Sequence, residues 1–411
     1  MRPLRWLLIW VPATAIALPT LADDTLYDLI NDRLGLMRDV ALQKWHAKRP
    51  IEDPEREALV IRSARRSAVM QGIDGDSAAR FFSAQIMAAK AIQRYWFRQW
   101  AGHPPDATGL DLVTKIRPEL LILGDAIVER LDRVPDQPGS QAEFTAALST
   151  TGLTPSEQNA LFDALIQVEH YPSTLARIEH SGELRVGTTG DYAPFTHRGT
   201  DGQPGGVDID QAKHLAAELG VRARFVRTSW PTLMDDLRDG HFDIAMGGIS
   251  RNVARAREAR FSVPYFRDGK TTIVRCEDVA RFDSLAAIDQ PDVRVIVNPG
   301  GTNQRFVNTR MRRAAITVWP DNRTIFDEIA AGRADVMFTD GIEVLLQSAR
   351  IPSLCGSMPT LTYLEKAYLL PRIRGDEAWL ETVNVWLGLR LGAGAVDTLI
   401  SQHTGSDIGA R

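Results

Sequence analysis

The chain is poor in the residues and motifs that would settle its chemistry at once. It has 411 residues and only two cysteines, Cys276 and Cys355, so a disulfide scaffold cannot replace a hydrophobic core. It has no large excess of either charge. A net charge of -4 gives no electrostatic reason to expect nucleic acid or a membrane surface as partner. It lacks GxxxxGK[ST], a strand-linked GxGxxG and HExxH, which removes the common nucleotide-binding and zinc-hydrolase patterns. Its eight histidines are scattered and suggest no metal site. No cofactor is expected.

What is present is ordinary for a soluble protein: 44% apolar and 24% charged residues, in a chain long enough for two or three domains. The N-terminus is distinctive. Arg2 and Arg5 precede a mostly apolar run from Trp6 to Leu18, and Leu21-Ala22 puts a small residue before Asp23. This pattern predicts a secretory signal peptide over residues 1–22, too short and too proline-interrupted for an anchor. A periplasmic protein without a membrane anchor follows. In an oxidising compartment Cys276 and Cys355 can form one disulfide, the alternative being two buried thiols.

Residues 23–172 read as all-helical. Ile30, Arg33, Met37, Val40 and Lys44 share one face, so two cations interrupt an apolar stripe. Such cations are costly there unless something anionic meets them or they reach solvent at the core's edge. Asp53-Pro54 opens a helix whose first turn holds Arg56 and Glu57. A long helix from Asp76 to about Trp100 places Gln93 on its apolar face, and a later one, over about 112–131, kinks or restarts at Arg117-Pro118. A core enclosing cations, an amide and carboxylates suits a small polyanion bearing a hydroxyl. No nucleophile–base pair is evident, so electrostatic positioning is the chemistry that fits.

The runs LINDRL, VALQKW, PIEDPERE and FFSAQIMAAKAIQ resemble the all-helical chorismate mutases, in particular the secreted subclass. The resemblance implies that Arg33, Lys44, Arg56 and Arg117 hold the two carboxylates of chorismate. Lys44 and Gln93 would face the ether oxygen, and Asp53 and Glu57 the ring hydroxyl. Such a rearrangement needs the substrate folded and charge separation stabilised, without acid or base.

After the proline-rich stretch Val134–Ser140, a last helix is expected over about 155–170, with a joint at Tyr171-Pro172-Ser173. From Glu183 strands alternate with helices, which predicts an α/β domain over 173–411 with two lobes. The first lobe would take about 183–274 and 371–411, the second about 275–370. Polar residues gather at strand ends: Tyr192, Trp230, Ser250 and Arg255, the loop Gly301-Thr302-Asn303, and the stretch GRADVMFTDGIEVLLQ. That is where open α/β sheets bind ligands. In the last stretch a strand is expected over 334–338, a turn over 339–341, then a helix that Asp340 could cap and whose first turn holds Glu343.

These segments resemble the two-lobed periplasmic solute-binding proteins for amino acids (the type II arrangement). In such binders Arg255 would grip an α-carboxylate and Asp340 an amine. TSWPTLM, FRDGKTTI, VNPGGTN, PDNRTIF, TDGIE and EKAYLLP bring the resemblance to one subset, the periplasmic cyclohexadienyl dehydratases. Gly301, where amino-acid binders often have Thr, would widen the anion corner. The resemblance implies that Glu343 is a general acid, that Arg255 and the Thr302 loop hold carboxylate, and that Trp230 walls the ring. Tyr192, Ser250, Lys270, Asn303 and Asp340 would line the cleft.

The two resemblances together imply a bifunctional enzyme that rearranges chorismate to prephenate and dehydrates prephenate, with arogenate as a further possible substrate. Its partners would be small molecules alone, with oligomerisation left open. The rival is a mutase fused to a non-catalytic receptor domain, a pure amino-acid binder having no use for an acid at Glu343. Proton retention by Glu343 is expected only once lobe closure and a dianionic substrate act together.

Overall fold

The computed structural model describes residues 25–107, 109–133, 139–199, 201–373 and 376–405. The expected signal peptide and most of Val134–Ser140 lie outside them. The described residues fall into two compact units, divided at Ile51/Glu52, Met87/Ala88 and Asn159/Ala160.

The first unit is helical. Thr25 caps α1 (Leu26–Gly35) in a reciprocal box with Asp28. Leu36 separates α1 from α2 (Met37–His46) but keeps helical dihedrals, so the stripe through Arg33 and Lys44 continues. In α3 (Pro54–Met70), which belongs to the second unit, Asp53 accepts the Arg56 N–H at 3.2 Å, and Glu57 reaches back to the Asp53 N–H at 3.2 Å. The long α4 (Gly75–Trp100) passes from the second unit into the first. A wide helical turn at Leu112–Ile116 leads into α5 (Arg117–Arg133), matching the expected restart before Pro118. The sequence reading missed α6 (Gln141–Ala147), a short helix capped by Ser140. The last helix, α7 (Pro155–Ile166), stops earlier than expected. In the first unit α1 packs on α5, and Leu29, Ile30, Leu34, Ile127 and Phe144 are buried.

The second unit holds α3, the start of α4 and the α/β part. A helix, α8 (Thr174–Ser181), introduces two five-stranded sheets. The first orders its strands Arg222–Arg227, Glu183–Thr188, Ile244–Ala245, Leu369–Pro371 and Ala259–Phe261. The second runs Ala315–Val318, Arg294–Val297, Val336–Asp340, Lys270–Arg275 and Leu354–Gly356. The chain crosses between lobes at Phe266–Asp268 and Leu364–Lys366, which pair antiparallel. The expected lobe limits at 274 and 370 therefore move: Lys270–Arg275 belongs to the second sheet, because it pairs with Val336–Asp340.

The same unit ties α3 and the start of α4 to the first lobe. Arg65, 8% exposed, donates to the carbonyl of Asp239 and meets Asp76 at 2.6 Å. Arg66 meets Asp239 at 2.7 Å. Gly240 has φ of +68°, and a Cβ there would lie 2.5 Å from Val69 Cγ2, so glycine is required for this close approach. The α/β part thus has an α3 surface packed against it that the joint near Tyr171 did not suggest. In the second lobe Cys276 and Cys355 form a disulfide between residues 79 apart.

Candidate functional site: a cation-lined cleft beside a buried glutamic acid

The cleft lies between the two sheets, at the ends of their strands. The lobes meet across it: Asn322 Nδ2 donates to the carbonyl of Asp191 at 2.9 Å, and the Tyr192 hydroxyl donates to Asp340. It encloses about 330 Å³ including its open mouth, with Trp230, Tyr192 and Arg255 on one side and Gly301, Thr302 and Asn303 on the other.

Each position has a local cause. Gly248, at φ +66°, lets the Tyr192 and Phe195 rings come within 2.5 Å of where a Cβ would be. Its N–H donates to Asp208 Oδ2 at 2.6 Å, which fixes the loop before Ser250. Asn252 caps the short helix carrying Arg255, whose Nη1 donates to the Ser250 carbonyl at 3.0 Å. The Arg255 guanidinium stands 5.9 Å from the Trp230 ring centre. Burial lowers its pKa to about 10, so it stays charged. Trp230 is oriented by its Nε1 donating to Asp191 at 3.1 Å. Across the cleft, Thr302 and Asn303 open the helix Thr302–Arg310, whose first amides suit an anion. A Cβ on Gly301 would lie 3.3 Å from Asn298 Nδ2 and 4.0 Å from Trp230, so its absence leaves that corner open.

Asp340 departs from the sequence reading. The strand runs through it with no intervening turn, and the helix Gly341–Arg350 begins at the next residue. Its side chain does not cap that helix. Lys270 Nζ donates to Oδ1 at 2.5 Å, and Lys366 and Tyr192 both donate to Oδ2. Two lysines hold the Asp340 carboxyl far below the usual carboxylate range despite its burial. Burial in turn pushes the Lys270 ammonium down.

Glu343 is 1% exposed and lies behind the cleft wall, accepting from the Thr339 hydroxyl. Burial pushes its pKa up to about 8, with Asp340 and Asp191 acting in the same direction against Lys270. Glu343 therefore holds its proton at neutral pH through burial. Thr339 also accepts from Asn303 Nδ2 at 3.3 Å, and Asn303 accepts from Lys270. A continuous hydrogen-bonded path thus runs from Glu343 to the cleft.

The sequence reading missed Lys366, Asn298, Asn322 and Thr339 as site residues. Lys366 is 1% exposed and lies in EKAYLLP; Asn298 and Asn322 lie in VNPGGTN and PDNRTIF. Those segments carry the resemblance, but no spacing rule shows which of their polar side chains turns inward.

In the helical unit Arg33 is 5% exposed, and burial lowers its pKa to about 10. Lys44 Nζ donates to the Ile51 carbonyl at 2.5 Å. Gln93 is buried, its Nε2 donating to Ala89 O at 3.2 Å while Oε1 is without a hydrogen-bond partner. Arg117 is half-buried at the start of α5. In the other unit Asp53, Arg56 and Glu57 occupy the N-terminal turn of α3.

The model of the bacterial extracellular solute-binding proteins, family 3, matches residues 184–405. The chain belongs to that family. Residues 21–94 of this family-3 chain match the type II chorismate mutase model as well. It is 53% identical over 217 residues to a cyclohexadienyl dehydratase of Pseudomonas aeruginosa, covering 52% of this chain and 80% of the relative. It is 33% identical over 146 residues to a secreted chorismate mutase of Yersinia pestis, covering 34% of this chain and 78% of the relative. A crystal structure of an ancestral amino acid-binding protein, described as a precursor of cyclohexadienyl dehydratase, superimposes with a TM-score of 0.53. Its identity is 34%, over 56% of this chain and all of the ancestral one. The family-3 chain therefore carries a chorismate mutase module fused to a solute-binding module of the cyclohexadienyl dehydratase type. Among the described residues no group of three or more His, Cys, Asp or Glu is placed to hold a metal ion.

Proposed function

We infer that the protein is a bifunctional enzyme of phenylalanine biosynthesis. Residues 23–172 convert chorismate to prephenate, and residues 173–411 convert prephenate to phenylpyruvate. The observation that supports the second activity most is Glu343, a buried carboxylic acid with a pKa of about 8 beside a cleft rich in cations. A dianionic substrate places one carboxylate against Arg255 and the Thr302 amides, with its ring along Trp230. Glu343 supplies the proton that lets the ring hydroxyl leave as water, while the ring carboxylate leaves as carbon dioxide and the ring becomes aromatic. No redox change occurs.

For the mutase, Arg33, Lys44, Arg56 and Arg117 are the cations assigned to the two carboxylates, and Asp53 and Glu57 the groups assigned to the ring hydroxyl. Lys44 and Gln93 are assigned to the ether oxygen. Relatives that are secreted or solute-binding support a periplasmic location, where the Cys276–Cys355 bridge is stable.

The deciding experiment supplies purified protein with chorismate alone and identifies the product. Phenylpyruvate supports both activities, accumulation of prephenate returns the second module to a receptor, and unchanged chorismate removes the mutase.

A further inference from the structure

The amine site expected at Asp340 is already filled from within the chain. Asp340 is 2% exposed and accepts from Lys270, Lys366 and Tyr192. Lys366 directs its other donors at Ser250 Oγ (2.9 Å) and Tyr192 OH (3.1 Å). It also lies 4.8 Å from the Tyr192 ring centre. Its backbone is fixed twice: Leu364–Lys366 is a crossover strand, and Lys366 forms a bridge with Ser250. It is thus a rigid part of the cleft wall and lines the cavity itself.

A ligand ammonium seeking Asp340 would have to displace one of these donors and add a third cation to a buried pair of them. That is unfavourable at short range and low dielectric. A carboxylate or keto oxygen meets the opposite situation, because two ammonium groups share only one carboxylate.

We propose that Lys366 is a specificity-determining residue of the cleft. With Lys270 it withholds Asp340 from α-amino groups and turns this end of the site toward a keto acid. The proposal rests on the dehydratase reading and deepens it. Lys366→Met leaves the neutral Tyr192 hydroxyl as the donor to Asp340 Oδ2, which makes room for an incoming amine there, and removes a cation that favours the keto acid.

The test compares prephenate with arogenate, which carries an amino group in place of the keto oxygen, on the parent, Lys366→Met and Lys366→Arg. For Lys366→Met the KM for prephenate is expected to rise about tenfold or more, the cost of losing a charge-assisted contact. The prephenate-to-arogenate ratio of kcat/KM should fall about as far, with Lys366→Arg in between. A ratio equal to the parent's in Lys366→Met overturns the proposal, however far both rates fall, because a purely structural lysine would weaken both substrates alike. If Lys366→Met does not fold, Lys366→Gln is measured by the same ratio. If the parent dehydrates neither substrate, the dehydratase reading itself fails. The proposal is then judged by calorimetric binding of phenylpyruvate against phenylalanine to parent and variants, where an unchanged ratio of Kd values overturns it.

Discussion

Asp268 accepts the N–H of Ile342 at 3.0 Å, and thereby caps the helix that carries Glu343. Its other oxygen takes the Gly341 N–H at 3.1 Å. Asp268 ends a crossover strand, so a residue at the hinge sets the position of the buried acid. A Cβ on Gly341 would lie 2.8 Å from Asp268 Oδ1, which explains glycine at the helix start. Asp340 is thereby free to bind lysines. Replacing Asp268 by Ala should cost about 1 kcal/mol, the usual value of a lost cap. It should also lower dehydratase turnover more than prephenate binding. Turnover equal to the parent's would show that the cap does not position Glu343.

Glu343→Gln keeps the side chain's shape and removes its ionisable proton. It is expected to bind prephenate while losing about two to four orders of magnitude in kcat. A variant that turns over normally would make the second module a plain binding module.

The pH dependence has a definite sign. Burial raises the Glu343 pKa from 4.5 to about 8. Its protonated form supports folding fully below pH 4.5, and that contribution fades as pH rises through about 8. The dehydratase rate should therefore fall on an alkaline limb near that value, a limb absent from the mutase because it moves no proton. Over the same interval the stability of Glu343→Gln should rise relative to the parent. Denaturant melts of both proteins at pH 5 and pH 9 measure this, and a constant difference would contradict it.

Lys44→Ala and Arg56→Ala should each lower mutase turnover at least about a hundredfold, the effect of losing one strong transition-state donor. Dehydration of supplied prephenate should be unaffected. Mutation of Lys44 without effect on chorismate turnover would remove it from the site.

Two modules written in tandem suggest that each half works when separated, but the packing of α3 alters the expected outcome. A fragment beginning at Ser173 should keep dehydratase activity. A fragment ending at Pro172 loses Asp239 as the partner of Arg65 and Arg66, and should melt below the helical part of the full chain. In the full chain, Arg65→Ala should cost about 1–3 kcal/mol by leaving the carbonyl of the buried Asp239 without this donor. Equal melting of fragment and full chain would make the helical core independent.

Periodicity and spacing in the sequence were enough for the helix start at Asp53-Pro54, the break at Arg117-Pro118, strands over 184–188 and 223–227, each one residue short of the observed start, and the polar residues at strand ends. These depend on local backbone preference and on alternation of apolar residues, both of which are written along the chain. The partners of the charges could not be read in this way. Asp340 lies 70 residues from Lys270 and 148 from Tyr192, and their meeting depends on how two sheets face each other. For the same reason the sequence placed Glu343 near a cleft without fixing its proton. Desolvation is a property of everything packed around a carboxyl group, and only the tertiary structure supplies those neighbours.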